Sequence, residues 1–468
     1  MDLGPPPGPR YAGRMRAPVL ALLLSFGALV LPPAPAAAAE APAILPASAR
    51  STRLDNGLTV VLLPLTSPGL VSVQTWMDVG SRDEVAPGTT GYAHFFEHLM
   101  FHGTPTWSAE ARANRLLELG VDENAWTSED FTCYHLLFGK DGLGEVLTLE
   151  ADRFAHLSLS AEGVGRESGA VYGEFRKGRA NPENRLNELL YDTAFTAHTY
   201  KHSTIGYEAD IAGMKTGLNT ALGFFHTYYR PDRATLVIAG DIDPDAVLAQ
   251  VRAAYAGWQA PAAAVPPLPI EPVQAAPRSA SLTWTEGRTD GWLAMGWKIP
   301  AFVPGDRDAA AIDIINLLLT APIAPLHRRL VEEGQLAWEL SASGTQARSP
   351  GLFSLTVALR EGVEPAKVEA LVQEELAALM SDGPALAARV EQARGRLRRA
   401  ELLGLEAPQD WAGAIGRYAA LSGGDIHAYD RHLAALSAVT SADVARVASA
   451  TFVEARRSTA QIRPGGAK

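Results

Sequence analysis

The feature that most constrains the fold is a segment rich in proline and alanine near the middle of the chain. Residues 256–277 read AGWQAPAAAVPPLPIEPVQAAP and carry almost no charge, a composition typical of an extended, semi-rigid linker. The segment separates two halves of similar length, and each half runs through strands, helices, a strand and further helices. Strands and helices that segregate in blocks favour an α+β fold over a doubly wound sheet. We therefore predict two related α/β-sandwich halves, 40–255 and 278–468, each a mainly antiparallel sheet covered by helices.

Hydrophobic periodicity places the individual elements. An Asn56-Gly57 turn predicts a hairpin within 52–65. Alternating or continuous apolar runs predict further strands at 70–80, 130–138, 234–243, 281–286, 291–299 and 351–359. Helices are predicted at 90–101, 108–119, much of 143–230, 307–320 and from the last strand to about 450.

Composition argues against nucleic-acid binding and against cysteine-based structure. The 468 residues include 41 Lys and Arg against 52 Asp and Glu, with the acidic residues spread along the chain. Nucleic-acid-binding proteins show clustered basic residues instead, so no nucleic-acid partner is expected. Cys133 is the single cysteine, which excludes an intramolecular disulfide and any cysteine-based zinc cluster.

The N-terminus has the pattern of a targeting segment. Arg10, Arg14 and Arg16 precede an apolar run over 17–31, which is followed by PPAPAAAAE. This pattern predicts a secretory signal peptide over 1–39, cut near Ala39. A membrane anchor is the alternative, but the run is shorter than the ~20 residues that span a bilayer. We expect a periplasmic or secreted protein with no membrane attachment after cleavage.

One short segment carries chemistry, GYAHFFEHLMFHGT at 91–104. On a helix, His94 and His98 share a face because they are four residues apart, and Glu97 lies on the same face. Zinc prefers imidazole and carboxylate ligands, and a catalytic site leaves one position for water, which a nearby carboxylate can deprotonate. This order is the inverted form of a known zinc motif. The alternative is a pair of surface histidines, but the apolar neighbours predict a mostly buried helix, in which His and Glu need partners.

Two histidines require a third ligand, and the segment 166–185 supplies Glu167 and Glu174. On a helix these two glutamates share a face but lie two turns apart, roughly 10 Å. One can bind the ion while the other orients a ligand. The alternative is two ordinary glutamates on a polar helix face.

The chain resembles the pitrilysin, insulin-degrading enzyme and mitochondrial processing peptidase family of zinc peptidases. That family carries His-x-x-Glu-His with a further Glu about 76 positions on, and here 174 − 98 = 76, in the segment Glu167-Ser-Gly-Ala-Val171-Tyr-Gly-Glu174. Other family-like segments are VGSRDE (79–84), FHGT (101–104), ENAWTSEDFTCY (123–134), HTYKHSTIG (198–206) and FFHTYYRPDRATLVIAGDID (224–243). The likeness is strong over 50–245 and weak over 280–460, as in the short two-domain bacterial members.

The resemblance implies a role for each residue of the motif. His94, His98 and Glu174 are expected to bind one Zn²⁺ per chain, with Glu97 as general base and Glu167 in support. The sequence Asn124-Ala125 matches an edge-strand segment whose backbone pairs with an extended substrate peptide, a mode of binding that tolerates many sequences. His102, four residues after His98, is interpreted as a helix-end histidine.

One departure from the family concerns the second half. Family members carry an Arg and a Tyr seven positions apart that grip the substrate, whereas LVEEGQLAW places Val331 and Trp338 there. Arg328 or Arg329 is an alternative source of the cation. The family's closed chambers contain four such domains and this chain has two, which implies a dimer. The missing pair favours a heterodimer with a related, zinc-less chain that supplies it.

These observations predict a zinc-dependent endopeptidase that hydrolyses unfolded peptides in a closed chamber. The alternatives are a non-catalytic subunit of a heteromeric peptidase complex and a zinc-binding carrier. Intact His94, Glu97, His98 and Glu174 argue against the first alternative, and a carrier has no need of Glu97.

Overall fold

Two mixed β-sheets organise the part of the chain that the computed structural model describes, residues 44–261, 264–344 and 346–465. The predicted signal peptide and its cleavage site at Ala39 lie outside these ranges. The first sheet has the order β1-β2-β6-β3-β5-β4 and consists of β1 Arg50–Arg53, β2 Thr59–Pro64, β3 Leu70–Met77, β4 Asp122–Thr127, β5 Thr132–Gly139 and β6 Ala234–Gly240. The second has the order β7-β11-β8-β10-β9 and consists of β7 Arg278–Thr283, β8 Trp292–Ile299, β9 Ala337–Gly344, β10 Gly351–Leu359 and β11 Arg457–Arg463.

Both sheets are antiparallel except for one parallel pair each, β2 with β6 and β7 with β11. The helices between the first strands are α1 Tyr92–Leu99, α2 Ala109–Glu118, α3 Leu143–His156, α4 Ala161–Arg179, α5 Pro182–Ala194, α6 Glu208–Gly213, α7 Leu218–Tyr228 and α8 Pro244–Ala254. Those that follow are α9 Arg307–Thr320, α10 Pro325–His327, α11 Pro365–Leu379, α12 Pro384–Leu403, α13 Pro408–Leu421, α14 Ala428–Ala438 and α15 Ser441–Thr451. The predicted α+β fold with two sheets and covering helices is confirmed.

Each sheet has two apolar faces, and each half covers only one face of its own sheet. Val60, Val73 and Ile238 point into a core with α1, α3 and α7, whereas Val61 and Val237 point to the opposite face. That opposite face packs against α13, which belongs to the other half of the sequence. In return, α5 packs across β7, β8 and β11 of the second sheet. The halves thereby complete each other's cores.

Three strands differ from the sequence prediction. The strands β4, β9 and β11 are not recognised by periodicity, because β4 and β9 are edge strands rich in polar or small residues and β11 follows the last helix. The strand predicted at 281–286 begins and ends three residues earlier, as β7. Most other elements match within two residues, and α9 and β10 match at both ends. The Cys133 side chain is buried in the sheet.

One apolar segment, 307–332, is long and hydrophobic enough to cross a membrane by composition alone. More than half of its most apolar stretch is buried, and α9 packs against β9, α12, α14 and α15. This environment is typical of the core helix of a folded domain.

Gly416 of α13 packs closely against the first sheet. A Cβ atom at this position would lie 2.5 Å from Nε1 of Trp76 and 3.0 Å from Cγ2 of Val237, and both residues are buried. We expect Gly416→Ala to lower the free energy of unfolding by about 1–3 kcal/mol, because an extra methyl group in a packed core forces its neighbours apart. Urea denaturation measures this change.

Gly413 in the same helix is the matched control. Its Cβ atom would have ordinary contact with Gln74, at 4.0 Å. Gly413→Ala should therefore raise the free energy of unfolding by about 0.5–1 kcal/mol, as expected for a helix interior. Equal effects of the two substitutions would contradict this account of the packing.

Candidate metal centre

The helix α1 is fixed at its first turn by a buried carboxylate. Oxygens of Glu84 accept hydrogen bonds from the backbone N–H groups of Gly91 and Ala93, each at 2.7 Å. Burial raises the pKa of Glu84 well above its usual range, while these two N–H groups oppose the shift. Gly91 precedes the helix with φ 88°, and a Cβ atom there would lie 2.5 Å from the carbonyl oxygen of Ile205. Only glycine accommodates this start to the helix.

Within α1 the side chains that escape burial are those of His94, Glu97 and His98. The other five residues pack into the core, so the helix turns its only polar face towards α4 and β4. The imidazole rings of His94 and His98 lie with centroids 4.9 Å apart and nearly perpendicular. Burial, together with His98, lowers the pKa of His94 to about 4. His94 is therefore neutral at pH 7, as a metal ligand requires.

Glu174 of α4 completes a group of three ligands with the two histidines. Its Oε2 atom lies 3.4 Å from Nε2 of His94 and 3.5 Å from Nε2 of His98. Two atoms that each bind one zinc ion at about 2.1 Å with a tetrahedral angle are roughly 3.4 Å apart. The three atoms lie within 4.8 Å of one another. Their types and spacing thus fit one tetrahedral ion with a fourth position free.

Glu167, two turns before Glu174 on α4, contacts the opposite side of the His98 ring. Its Oε1 atom lies 3.3 Å from Nδ1 of His98, and its Oε2 atom lies 3.4 Å from Nε2 of His102. Hydrogen bonds from these two histidines lower the pKa of Glu167 to about 2, and the bond to Glu167 raises the pKa of His98. A proton held on Nδ1 by Glu167 leaves Nε2 of His98 free to bind an ion. His102 lies just beyond α1, as expected, but it also anchors Glu167.

Glu97 makes a single side-chain hydrogen bond among the described contacts. Its Oε2 atom accepts from the hydroxyl of Thr127 at 2.7 Å. Burial raises the pKa of Glu97, and the bond from Thr127 opposes this shift. The Glu97 carboxylate therefore lies on the same helix as His94 and His98 but is not one of the three candidate ligands.

Asn124 and Ala125 lie in β4, which forms one edge of the first sheet. The Oδ1 atom of Asn124 accepts a hydrogen bond from the Ala125 N–H at 2.8 Å. On the other face of the strand, Glu123 pairs with Arg112 and Arg153, and these arginines also bind the fully buried Glu150. One face of the strand is thus anchored to the protein, while its outer edge has no partner strand among the residues that the structure describes.

Two cavities adjoin this site between the halves of the chain. A cavity of about 510 Å³ extends from Glu174 along α4 and α5 to Ser343 and Ser354 of the second sheet. A cavity of about 660 Å³ lies on the Trp126 side of β4, against α13. Glu129, Tyr191 and Ser343 line both cavities. The volumes are typical of ligand-binding clefts.

The residues of the second half that were considered for substrate binding have partners within the chain. Arg328 pairs with Glu333, and Arg329 pairs with Glu374 at 2.6 Å, so both guanidinium groups have carboxylate partners. Val331 packs against the core. Trp338 is 57% exposed, and the guanidinium of Arg360 stacks 3.9 Å above its ring.

Comparison with known proteins gives the family. Residues 60–208 match the family described as Insulinase (Peptidase family M16), and residues 218–397 match the Peptidase M16 inactive domain. The chain belongs to peptidase family M16. The order of an active-type domain followed by an inactive-type domain agrees with a motif present only in the first half.

Several relatives of this M16 chain match along most of its length. "Zinc protease PqqE" of Helicobacter pylori is 28% identical over 88% of this chain and 92% of its own length. The "Probable mitochondrial-processing peptidase subunit beta" of Schizosaccharomyces pombe is 27% identical over 85% of this chain and 88% of its own. The crystal structure of a protease from Helicobacter pylori superposes with a TM-score of 0.83, at 26% identity, over 89% of this chain and 99% of that one.

Sequence reasoning on this M16 chain missed the roles of three residues. Glu84 holds the start of α1, Thr127 holds Glu97, and His102 shares Glu167 with His98. For His102, its spacing of four residues from His98 was the one sequence signal that both rings could face the same partner. The contacts of Glu84 and Thr127 depend on tertiary structure, so no spacing along the sequence shows them.

The position of Glu167 generates a prediction for metal affinity. We expect Glu167→Gln to raise the dissociation constant for zinc by about 10–100-fold, because partners that orient a ligand typically contribute that much. Competition with a chromophoric chelator measures the constant. Glu162→Gln, an exposed position on the same helix, should leave it unchanged, and equal constants for the two variants would refute the orienting role.

Proposed function

We propose that this chain is a zinc-dependent endopeptidase of the M16 family that hydrolyses unfolded peptides. The convergence of His94, His98 and Glu174 carries the proposal, because their nitrogen and oxygen atoms have tetrahedral spacing and Glu97 is not among the ligands. Relatives named as zinc proteases that align along most of the chain support the choice of metal. Zinc in this site supplies Lewis-acid chemistry for attack on a carbonyl group.

The residues around the ion divide the remaining work. Glu97 accepts the proton of the attacking water. Its raised pKa makes the carboxylate a stronger base, which suits this role. Glu167 keeps His98 in one tautomer and orientation through the 3.3 Å contact with Nδ1. The buried Glu84 keeps α1, and with it all three polar side chains of the helix, in a fixed place.

Substrate binding is proposed to occur on the open edge of β4. An extended peptide that adds to Asn124 and Ala125 gains backbone hydrogen bonds that do not depend on its sequence. Its side chains then point alternately to the two faces of the sheet, towards the metal helix and towards the cavity beside Trp126. The two adjoining cavities support a chamber between the two halves of the chain, which we divide at the predicted linker 256–277.

Export and assembly complete the proposal. The signal-like N-terminus supports a periplasmic or secreted location, with cleavage near Ala39. Both Arg328 and Arg329 are paired with carboxylates, which weakens their candidacy as substrate-gripping residues. We therefore keep the heterodimer with a zinc-less relative as the proposed assembly, in which the partner provides the Arg and Tyr pair.

The competing function is a non-catalytic or zinc-binding subunit of a heteromeric peptidase complex. Such a subunit has no use for a carboxylate that is held beside the ligands but is not a ligand. The position of Glu97, hydrogen-bonded to Thr127, therefore favours the catalytic role.

Replacement of Glu97 tests the function directly. We expect Glu97→Gln to abolish cleavage of an unstructured fluorogenic peptide while one zinc per chain is retained, because the amide cannot accept the proton from water. Hydrolysis and zinc content are measured on the same preparation. Glu162→Gln should retain both properties, and cleavage by Glu97→Gln at the normal rate would refute the assignment.

The proposed assembly is tested by purification of the tagged chain from its native envelope. Mass determination of the intact complex should show this chain with one related chain that lacks His-x-x-Glu-His. Full peptidase activity of the isolated chain as a monomer would contradict the heterodimer.

A further inference from the structure

We propose that Thr127 is a positioning residue for the general base and fixes Glu97 relative to the peptide-binding strand. The inference rests on the proposed function of this site. Its observation is separate, namely the 2.7 Å hydrogen bond from the Thr127 hydroxyl to Oε2 of Glu97. This bond connects the helix that bears the base with the strand proposed to bind the substrate.

Thr127 is itself held firmly in place. It is the last residue of β4 and pairs with Thr132 of β5, whose hydroxyl donates to the carbonyl oxygen of Val79 at 3.0 Å. A β-branched side chain has few rotamers, so the position of its hydroxyl follows the backbone closely. The donor to Glu97 is therefore set by the sheet.

The same face of β4 is anchored at its other end. Side chains at alternate strand positions share a face, and in β4 those of Glu123, Ala125 and Thr127 are turned towards the protein. Glu123 is bound by Arg112 and Arg153 in the buried ion cluster. The strand is thus attached near one end to this cluster and at the other end to the catalytic helix, and both contacts oppose a shift of the strand relative to Glu97.

This arrangement has a consequence for the reaction. The hydroxyl occupies Oε2 and leaves Oε1 of Glu97 to accept a proton from water. The strand that carries the hydroxyl also sets the position of a paired peptide, so the base and the scissile bond are placed by one rigid element. Misplacement of a reacting group by about 1 Å can cost roughly 100-fold in rate, so loss of the tether should act on the chemical step.

The decisive comparison is between Thr127→Val, which keeps the shape and removes the donor, and Thr127→Ser, which keeps the donor. We expect Thr127→Val to lower kcat by roughly 10–100-fold, with KM and zinc content unchanged. Thr127→Ser should restore most of kcat. Thr127→Ala is a second donor-free variant in case the valine variant folds poorly, and thermal unfolding identifies such a failure.

A second readout does not depend on turnover. A crystal structure of zinc-loaded Thr127→Val should show the Glu97 carboxylate rotated or spread over several positions, whereas Thr127→Ser should keep the native one. A wild-type kcat in both donor-free variants would overturn the inference, and so would a fall in kcat that Thr127→Ser shares. Failure of the peptidase assignment is recognised separately, by normal cleavage in Glu97→Gln.

Discussion

The structure depends on an exchange of helices between two sheets that each have two apolar faces. A sheet covered on one face only would leave residues such as Val61 and Val237, or Leu352 and Ala460, exposed to water. Because α13 covers the first sheet and α5 covers the second, the described chain from residue 44 onward packs as one unit. The segment 256–277, predicted to be a linker, then connects sheets that are already held together by shared cores. The helices α4 and α5 are consecutive and in contact. The packing of α5 on the second sheet therefore also helps to position Glu174 on α4.

The metal centre shows how a polar site is built on an apolar helix. Five of the eight residues of α1 are buried, and this packing fixes the helix that carries the three polar residues. Two of these three are held by a group that is not a candidate ligand: His98 by Glu167 and Glu97 by Thr127. The His98 ring and the Glu97 carboxylate are thus oriented by hydrogen bonds that do not require the ion. Such preorganisation favours both metal affinity and a constant geometry during catalysis.

Most of the secondary structure and the residues of the metal site could be predicted from the sequence, whereas several contacts that hold the site could not. The spacing of His94, Glu97 and His98 on one helix face follows from helical periodicity alone, and the pairing with Glu174 came from a resemblance, since no local pattern links residues 76 positions apart. Strongly periodic elements such as α9 and β10 were predicted correctly because burial on one face dictates their pattern. The strand β4 was not predicted, because this edge strand carries charged and polar residues on both faces. The roles of Glu84 and Thr127 are tertiary contacts that a linear pattern does not encode. The chain's division at 256–277 and the identity of any partner subunit stay predictions.

The hydrogen bond from the Ala125 N–H to the side chain of Asn124 bears on how an open strand edge is kept harmless. An unpaired edge invites any extended chain, including another copy of the same protein, to add as a further strand. Here the strand satisfies a donor with its neighbour's own amide, so an incoming chain must first displace that contact. Pairing with only one or two residues gains too few backbone hydrogen bonds to displace that contact, whereas a long extended segment gains several at once. The hydrogen bond between Asn124 and Ala125 therefore discourages self-association at this edge without closing it.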